Sequence, residues 1–291
     1  MQAQPLAAVH VSALACHAQA STILAKSDPI DAEAIHQLRV LSKRLRSYWE
    51  LLQPFVGKSQ VKLATKQLQN AASRFAAARD HHVLVTLLGK LAKKAKKPKL
   101  QSSLNDVLKA FIESHRTDPP SAESDLPHSG DDDAQIWQLD RRRWESLDFG
   151  SDADSVGTRS VRKGLQRIFK KARDLHERAV TEHDIERWHE LRKWVKYLSL
   201  TIPLCGDEPS TSIVAEEWTR LGKTLGKLHD YDELIKRIGQ LGPDQVDNQQ
   251  SVRATRWLAG KRERICVQCD MHARRLLAQR PGPFAKSLIP D

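Results

Sequence analysis

The sequence predicts an all-α chain made of two helical-bundle halves, and three observations lead there. Apolar residues recur at the three-and-four spacing of amphipathic helices along nearly the whole length. Alternating β-branched and aromatic runs bounded by turn residues, the mark of strands, do not recur. Landmark residues of the first half also return in the second at almost the same spacing. The 291 residues suffice for one large domain, or two ordinary ones, with a core that needs neither disulfide nor metal.

The Ala- and Leu-rich stretch 6–26 reads as a first helix, stopped by Asp28-Pro29. A second runs over 30–55 and closes at Pro54 and Gly57. Residues 60–95 place Leu63, Leu68, Phe75, Val83, Leu84, Leu87 and Leu91 at helical spacing, as two helices meeting near Asp80. A shorter helix covers 100–115. The Pro-, Ser- and Asp-rich segment 117–133 reads as an exposed linker. It divides a first half, about 1–116, from a second, about 134–285, within a single domain. Helices resume over 134–147, 155–180, 184–202, 210–241 and 244–280, and Pro281-Gly282-Pro283 ends the last.

Charge narrows the function. Lys and Arg number 47 against 36 Asp and Glu, giving a net charge of +11 and an isoelectric point near 9.6. Such a balance calls for an anionic partner: nucleic acid, polyphosphate or an acidic membrane surface. Residues 61–100 carry a net +9, residues 101–160 a net −7, and basic helices resume beyond. No apolar run approaches the roughly 18 residues of a membrane span, so no membrane partner is expected. Residues 6–20 lack the basic lead of a signal peptide. Four cysteines argue against a disulfide scaffold and for a reducing compartment, so the chain is read as cytoplasmic.

The repeat is built on histidine and basic residues. His36-Gln-Leu-Arg39-Val-Leu-Ser-Lys43-Arg44-Leu-Arg46 in the first half answers to His189-Glu-Leu-Arg192-Lys193-Trp-Val-Lys196-Tyr-Leu in the second. Asp80 follows its histidine by 44 residues and Asp230 follows its own by 41. On a helix His36, Arg39, Lys43 and Arg46 fall within an arc of about 80°, and His189, Arg192, Lys193 and Lys196 within about 100°. Leu38, Leu41, Leu45 and Leu52 face elsewhere and are available for packing. Lys163, Arg167 and Lys170, flanked by Arg173, make a third stripe, and Lys90, Lys93, Lys94 and Lys97 a fourth. Several cationic helix faces suit an extended polyanion better than one small phosphate.

These runs resemble the CHAD family, the conserved-histidine α-helical domain. The resemblance rests on the two histidine runs, on Gly164-Leu165-x-Arg167-x-Phe169-Lys170-Lys171-x-Arg173, and on Leu225-Gly226-Lys-Leu-His229-Asp230. Phe75-Ala76 departs from the Leu-Gly that the family tends to have there. The resemblance implies two bundle halves related by a pseudo-twofold around a basic central groove. It also implies binding of inorganic polyphosphate and association with polyphosphate granules and their proteins.

The binding residues expected are therefore His36, Arg39, Lys43, Arg44, Arg46, Lys163, Arg167, Lys170, Arg173, His189, Arg192, Lys193 and Lys196. No catalytic residue, cofactor or metal is expected. Two other readings remain open. One is a helical nucleic-acid-binding protein, since DNA and RNA present the same charge. The other is a metal-dependent phosphohydrolase using Asp80, His81 and His82, or His229, Asp230 and Asp232, although the further ligands such sites need are not found. As structural residues, Asp80 and Asp230 would cap helices or pair with arginines. The Cys266-Val-Gln-Cys269 pair lacks the partner pair of a zinc site and reads as ordinary thiols. The seven Trp residues read as core.

Overall fold

A computed structural model describes residues 5–26, 31–73, 77–117, 131–148, 153–206 and 209–290. Every regular element among them is helical: α1 Pro5–Lys26, α2 Ala32–Leu51, α3 Gln53–Val56, α4 Lys58–Ser73, α5 Ala77–Lys94 and α6 Pro98–Thr117. They continue as α7 Asp131–Glu145, α8 Ala153–Thr181, α9 Ile185–Thr201, a 3-10 turn Ile202–Leu204, α10 Pro209–Ile238, α11 Asn248–Leu276 and α12 Pro281–Leu288. Asp28-Pro29, Phe75-Ala76 and most of the expected linker 117–133 lie outside the described residues.

Local chemistry sets the boundaries. Asp31 caps α2 by accepting the Ala34 N–H at 2.7 Å. The long helix expected over 30–55 is broken at Leu52, and Pro54 sits in the first turn of α3, where its missing N–H costs nothing. Gly57 leaves α3 at φ 88°, a conformation that side chains disfavour. Between α8 and α9 the chain reverses through His183 at φ 53°, and Asp184 caps α9 through the Glu186 N–H at 2.8 Å.

Two sequence expectations are corrected. The two helices expected to meet near Asp80 are α4, which ends at Ser73, and α5, which begins at Ala77, so Asp80 lies in the first turn of α5; Asp230 lies inside α10 and is not an N-cap. Pro281 does not end a helix but opens one, because proline's fixed φ suits the first helical position.

The chain forms two compact units. The first comprises Met1–Phe75, Leu126–Gly222 and His272–Asp291, and the second Ala76–Asp125 and Lys223–Met271. Each unit therefore takes segments from both sequence halves. In the second, α5 packs on α6, and Leu88, Leu104, Val107, Leu234, Ile238, Ala254 and Leu258 form its core. In the first, α8 packs against α9 and α12, and α2 against α1, α4, α8 and α9. Leu38, Leu41, Leu45 and Leu52 of the first histidine run are all buried there, as their spacing predicts. Six of the seven tryptophans are buried as well, and Trp257 packs half-buried on the core of the second unit.

One polar network fixes the first unit from inside. The buried Asp140 carboxylate of α7 accepts the Trp49 indole N–H of α2 at 3.0 Å and lies 3.1 Å from His17 Nε2 of α1. Trp144, one turn beyond Asp140, lies against Trp49 with ring centres 4.3 Å apart. Asp140→Asn keeps the shape but offers one acceptor where two donors converge. It is expected to cost about 2 kcal/mol, measured as a lower urea midpoint with an unchanged helical signal.

Contrary to the expectation that no segment reaches membrane length, α1 is long and apolar enough by composition to cross one. Its apolar face is used on the bundle, with Leu6, Val9, Ala13 and Ala20 buried and His17 held by Asp140.

Candidate anion-binding site

Two basic clusters form in the first unit, and α8 contributes to both. Lys163, Arg167, Lys170 and Arg173 recur every three or four residues and so share one face of the helix. With Arg280 and Gly282 at the start of α12 they line a cavity of about 560 Å³. Among the described residues Asp174 is the one acid in its wall, against five cations. Lys163, Lys170 and Arg280 are exposed, and Arg167 and Arg173 are half-buried.

The second cluster joins α2, α8 and α9. Arg167 donates to the Glu50 carboxylate at 2.5 Å and to the Glu50 carbonyl at 2.7 Å, so it closes the last turn of α2. Its guanidinium carbon lies 5.6 Å from the centre of the Trp194 ring, and the Lys193 ammonium lies 5.2 Å from that ring. Arg46 donates to Gln69 at 3.0 Å and is hydrogen-bonded to the Tyr197 phenol. Desolvation holds the Lys193 ammonium below the ordinary lysine value. Glu50 opposes that shift, while the neighbouring Arg46 and Lys171 charges reinforce it. Burial, more than the balance of neighbouring charges, therefore makes this lysine give up its proton early.

The other sequence-predicted residues are distributed differently. His36 and Arg44 line a separate cavity of about 710 Å³ between α1 and α2, with Glu33, Gln19, Thr22 and Ile23. The buried Nδ1 of His36 has no hydrogen-bond partner among the described residues. Arg44 reaches back to the Cys16 thiol, whose pKa burial raises against the pull of that guanidinium. Arg44 and Arg46 therefore point to different neighbours although only two positions separate them. Arg39 and Arg192 are half-buried, and Lys43 and Lys196 are exposed. His189 is partly buried, its Nδ1 3.8 Å from the Glu186 carboxylate.

Among the described residues no three His, Cys, Asp or Glu side chains converge to hold a metal ion. Of the acids considered above, Asp232 accepts from Arg262 of α11 at 2.8 Å. The Asp80 and His82 side chains lie outside the described residues. Cys266 and Cys269 are free thiols, and burial pushes Cys269 up to about 12, far from a reactive thiolate. Lys90, Lys93, Lys94 and Lys97 form an exposed basic run in the second unit.

Three contributors were not singled out as site residues from sequence. Glu50 lies one turn after Arg46, and that spacing was a usable signal. Trp194 sits inside the second basic run, where its helical spacing reads as core. Arg280 falls at the end of the helix that the sequence predicts over 244–280, where nothing marks it as a site residue.

The model of the CHAD domain family matches residues 8–239, from α1 through α10. No curated protein and no solved structure matches the chain.

Proposed function

This chain belongs to the CHAD domain family, and on that premise we propose that it is a non-catalytic binding module for inorganic polyphosphate. The observation that carries the reading is the face of α8, where four cations at helical spacing line one cavity with Arg280. Arg167 links that cavity to the cluster of Arg46 and Lys193, which α2 and α9 supply. Polyphosphate is a flexible chain with a charge at every unit. It can follow such cations from helix to helix, each giving charge-assisted hydrogen bonds to phosphate oxygens. The pseudo-twofold groove, the granule association and the cytoplasmic setting belong to the same proposal.

A titration of the purified protein with long polyphosphate and with duplex DNA, at matched charge concentration and salt, tests it. Polyphosphate is expected to bind more tightly, because duplex DNA is too stiff and wide to enter a cavity between helices. No orthophosphate is expected on long incubation with magnesium or manganese. Equal affinity for DNA would reduce the site to a basic surface. Metal-dependent phosphate release that is lost in His229→Ala or Asp230→Ala would replace binding with hydrolysis.

A further inference from the structure

Residues beyond the stretch matched to the family finish the α8 cavity. The stretch ends at 239, yet Arg280, Pro281 and Gly282 line the cavity beside Lys163, Arg167, Lys170 and Arg173. Their place is fixed by how α12 docks. Phe284 stacks on Phe169 of α8 with ring centres 4.1 Å apart and meets Trp218 edge-on at 6.0 Å. At the far end of α12, Arg162 of α8 donates to the Pro290 carbonyl. A helix held at both ends presents its first turn in one position.

That first turn has an unusual donor pattern. Pro281 and Pro283 have no N–H, and the Phe284 N–H donates to the Arg280 carbonyl at 3.1 Å. Gly282 holds the remaining backbone donor of the turn, at the positive end of the helix dipole. A Cβ on Gly282 would lie 3.2 Å from the Gln166 amide nitrogen, so glycine allows α12 to lie close to α8. Arg280 itself is exposed and makes no side-chain cap for its helix, which leaves the guanidinium available to the cavity.

We propose that this cavity is a subsite for a short unesterified oligophosphate, with Arg280 and the Gly282 N–H as binding groups added to the α8 stripe. The proposal rests on the polyphosphate reading above and names where a short piece of that ligand docks. A volume of about 560 Å³ is within the range of small-ligand sites. Arg167 is already paired with Glu50, and the other four cations against Asp174 still match the charge of a few consecutive phosphates. Among the described residues no aromatic side chain lines the cavity, so it offers no platform for a nucleobase.

The test is calorimetry of the full chain with inorganic tripolyphosphate, long polyphosphate and ATP. Arg280→Ala is expected to weaken tripolyphosphate at least tenfold and Arg280→Lys less. Arg237→Ala, which removes an exposed cation of the second unit, is expected to leave it unchanged. The Arg280 Nε resonance of 15N-labelled protein should also shift on adding tripolyphosphate, a readout that needs no variant. Long polyphosphate bound normally by a wild type that ignores tripolyphosphate, or an Arg280→Ala variant equal to wild type, overturns the subsite and leaves the polyphosphate reading standing. Tighter binding of ATP than of tripolyphosphate overturns the assigned ligand class. A wild type that binds neither phosphate chain overturns the polyphosphate reading itself.

Discussion

Gly164→Ala is expected to destabilise the protein by about 4 kcal/mol or more, while Gly260→Ala is expected to stabilise it by about 0.5–1 kcal/mol. Both glycines lie inside helices, α8 and α11, where alanine is the better helix former. Their surroundings decide the sign. A Cβ on Gly260 would meet nothing within 4 Å, so the substitution keeps only the gain in helix propensity. A Cβ on Gly164 would lie 1.7 Å from the Leu51 carbonyl oxygen and 2.7 Å from its carbon. These are backbone atoms at the end of α2, and no rotamer change relieves the overlap. The helices must separate instead. One turn along, Arg167 would then lose its hydrogen bonds to the Glu50 carbonyl and carboxylate. Phe169, packed between Trp218 and Phe284, would be disturbed with it. Urea unfolding of the two variants beside wild type checks the pair. Equal midpoints for Gly164→Ala and wild type would mean that α8 does not rest on the end of α2.

The same glycine illustrates what could be read from sequence and what could not. Gly164 was noticed as part of a family-like run, but its reason, a contact with Leu51 more than a hundred residues earlier, is a fact of packing. Helical spacing sufficed to place Leu38, Leu41 and Leu45 in the core and to find α1, α6 and α9 within a few residues. Spacing is a local signal, and it failed where local chemistry has two readings. Proline both ends and begins helices, and at Pro281 the second reading won, which hid Arg280. An aspartate before a helical run resembles a cap, yet Asp230 continues α10 without a break. Asp140 was not singled out because its partners Trp49 and His17 lie 91 and 123 residues away. For the site, the stripe on α8 was legible because all four residues belong to one helix. The division of α2 into an Arg44 side and an Arg46 side was not, since it depends on α1, α4 and α9.

Reversing the charges of the clusters is expected to abolish most polyphosphate affinity without unfolding the chain. Lys163→Glu with Lys170→Glu removes two exposed cations of the α8 cavity, and Lys171→Glu with Lys193→Glu removes two exposed cations at the second cluster. A hydrogen bond to a charged group contributes about 1.5 kcal/mol at the low end. Two lost together give about 3 kcal/mol, or about a hundredfold in affinity, before the new repulsion is counted. Exposed charge changes usually move stability by no more than about 0.5 kcal/mol, so the melting temperature should barely change. Salt should weaken wild type steeply and each double variant less steeply, since fewer counterions are displaced. Lys193 adds a pH signature. Its pKa is depressed, so its charge is lost as pH rises through a range below the ordinary lysine value of about 10.4. Wild-type affinity should therefore begin to fall at a lower pH than that at which ordinary lysines lose their charge. Phosphate bound beside Lys193 favours the charged form, so binding there should take up protons. Calorimetry in two buffers of different ionisation heat reads that uptake directly. Lys193→Arg should keep the affinity while removing both the early alkaline fall and the proton uptake. An unchanged pH profile in Lys193→Arg would detach this lysine from the site. Unfolding of both double variants would make their cations partners of the fold, and the binding site would then have to lie elsewhere on the chain.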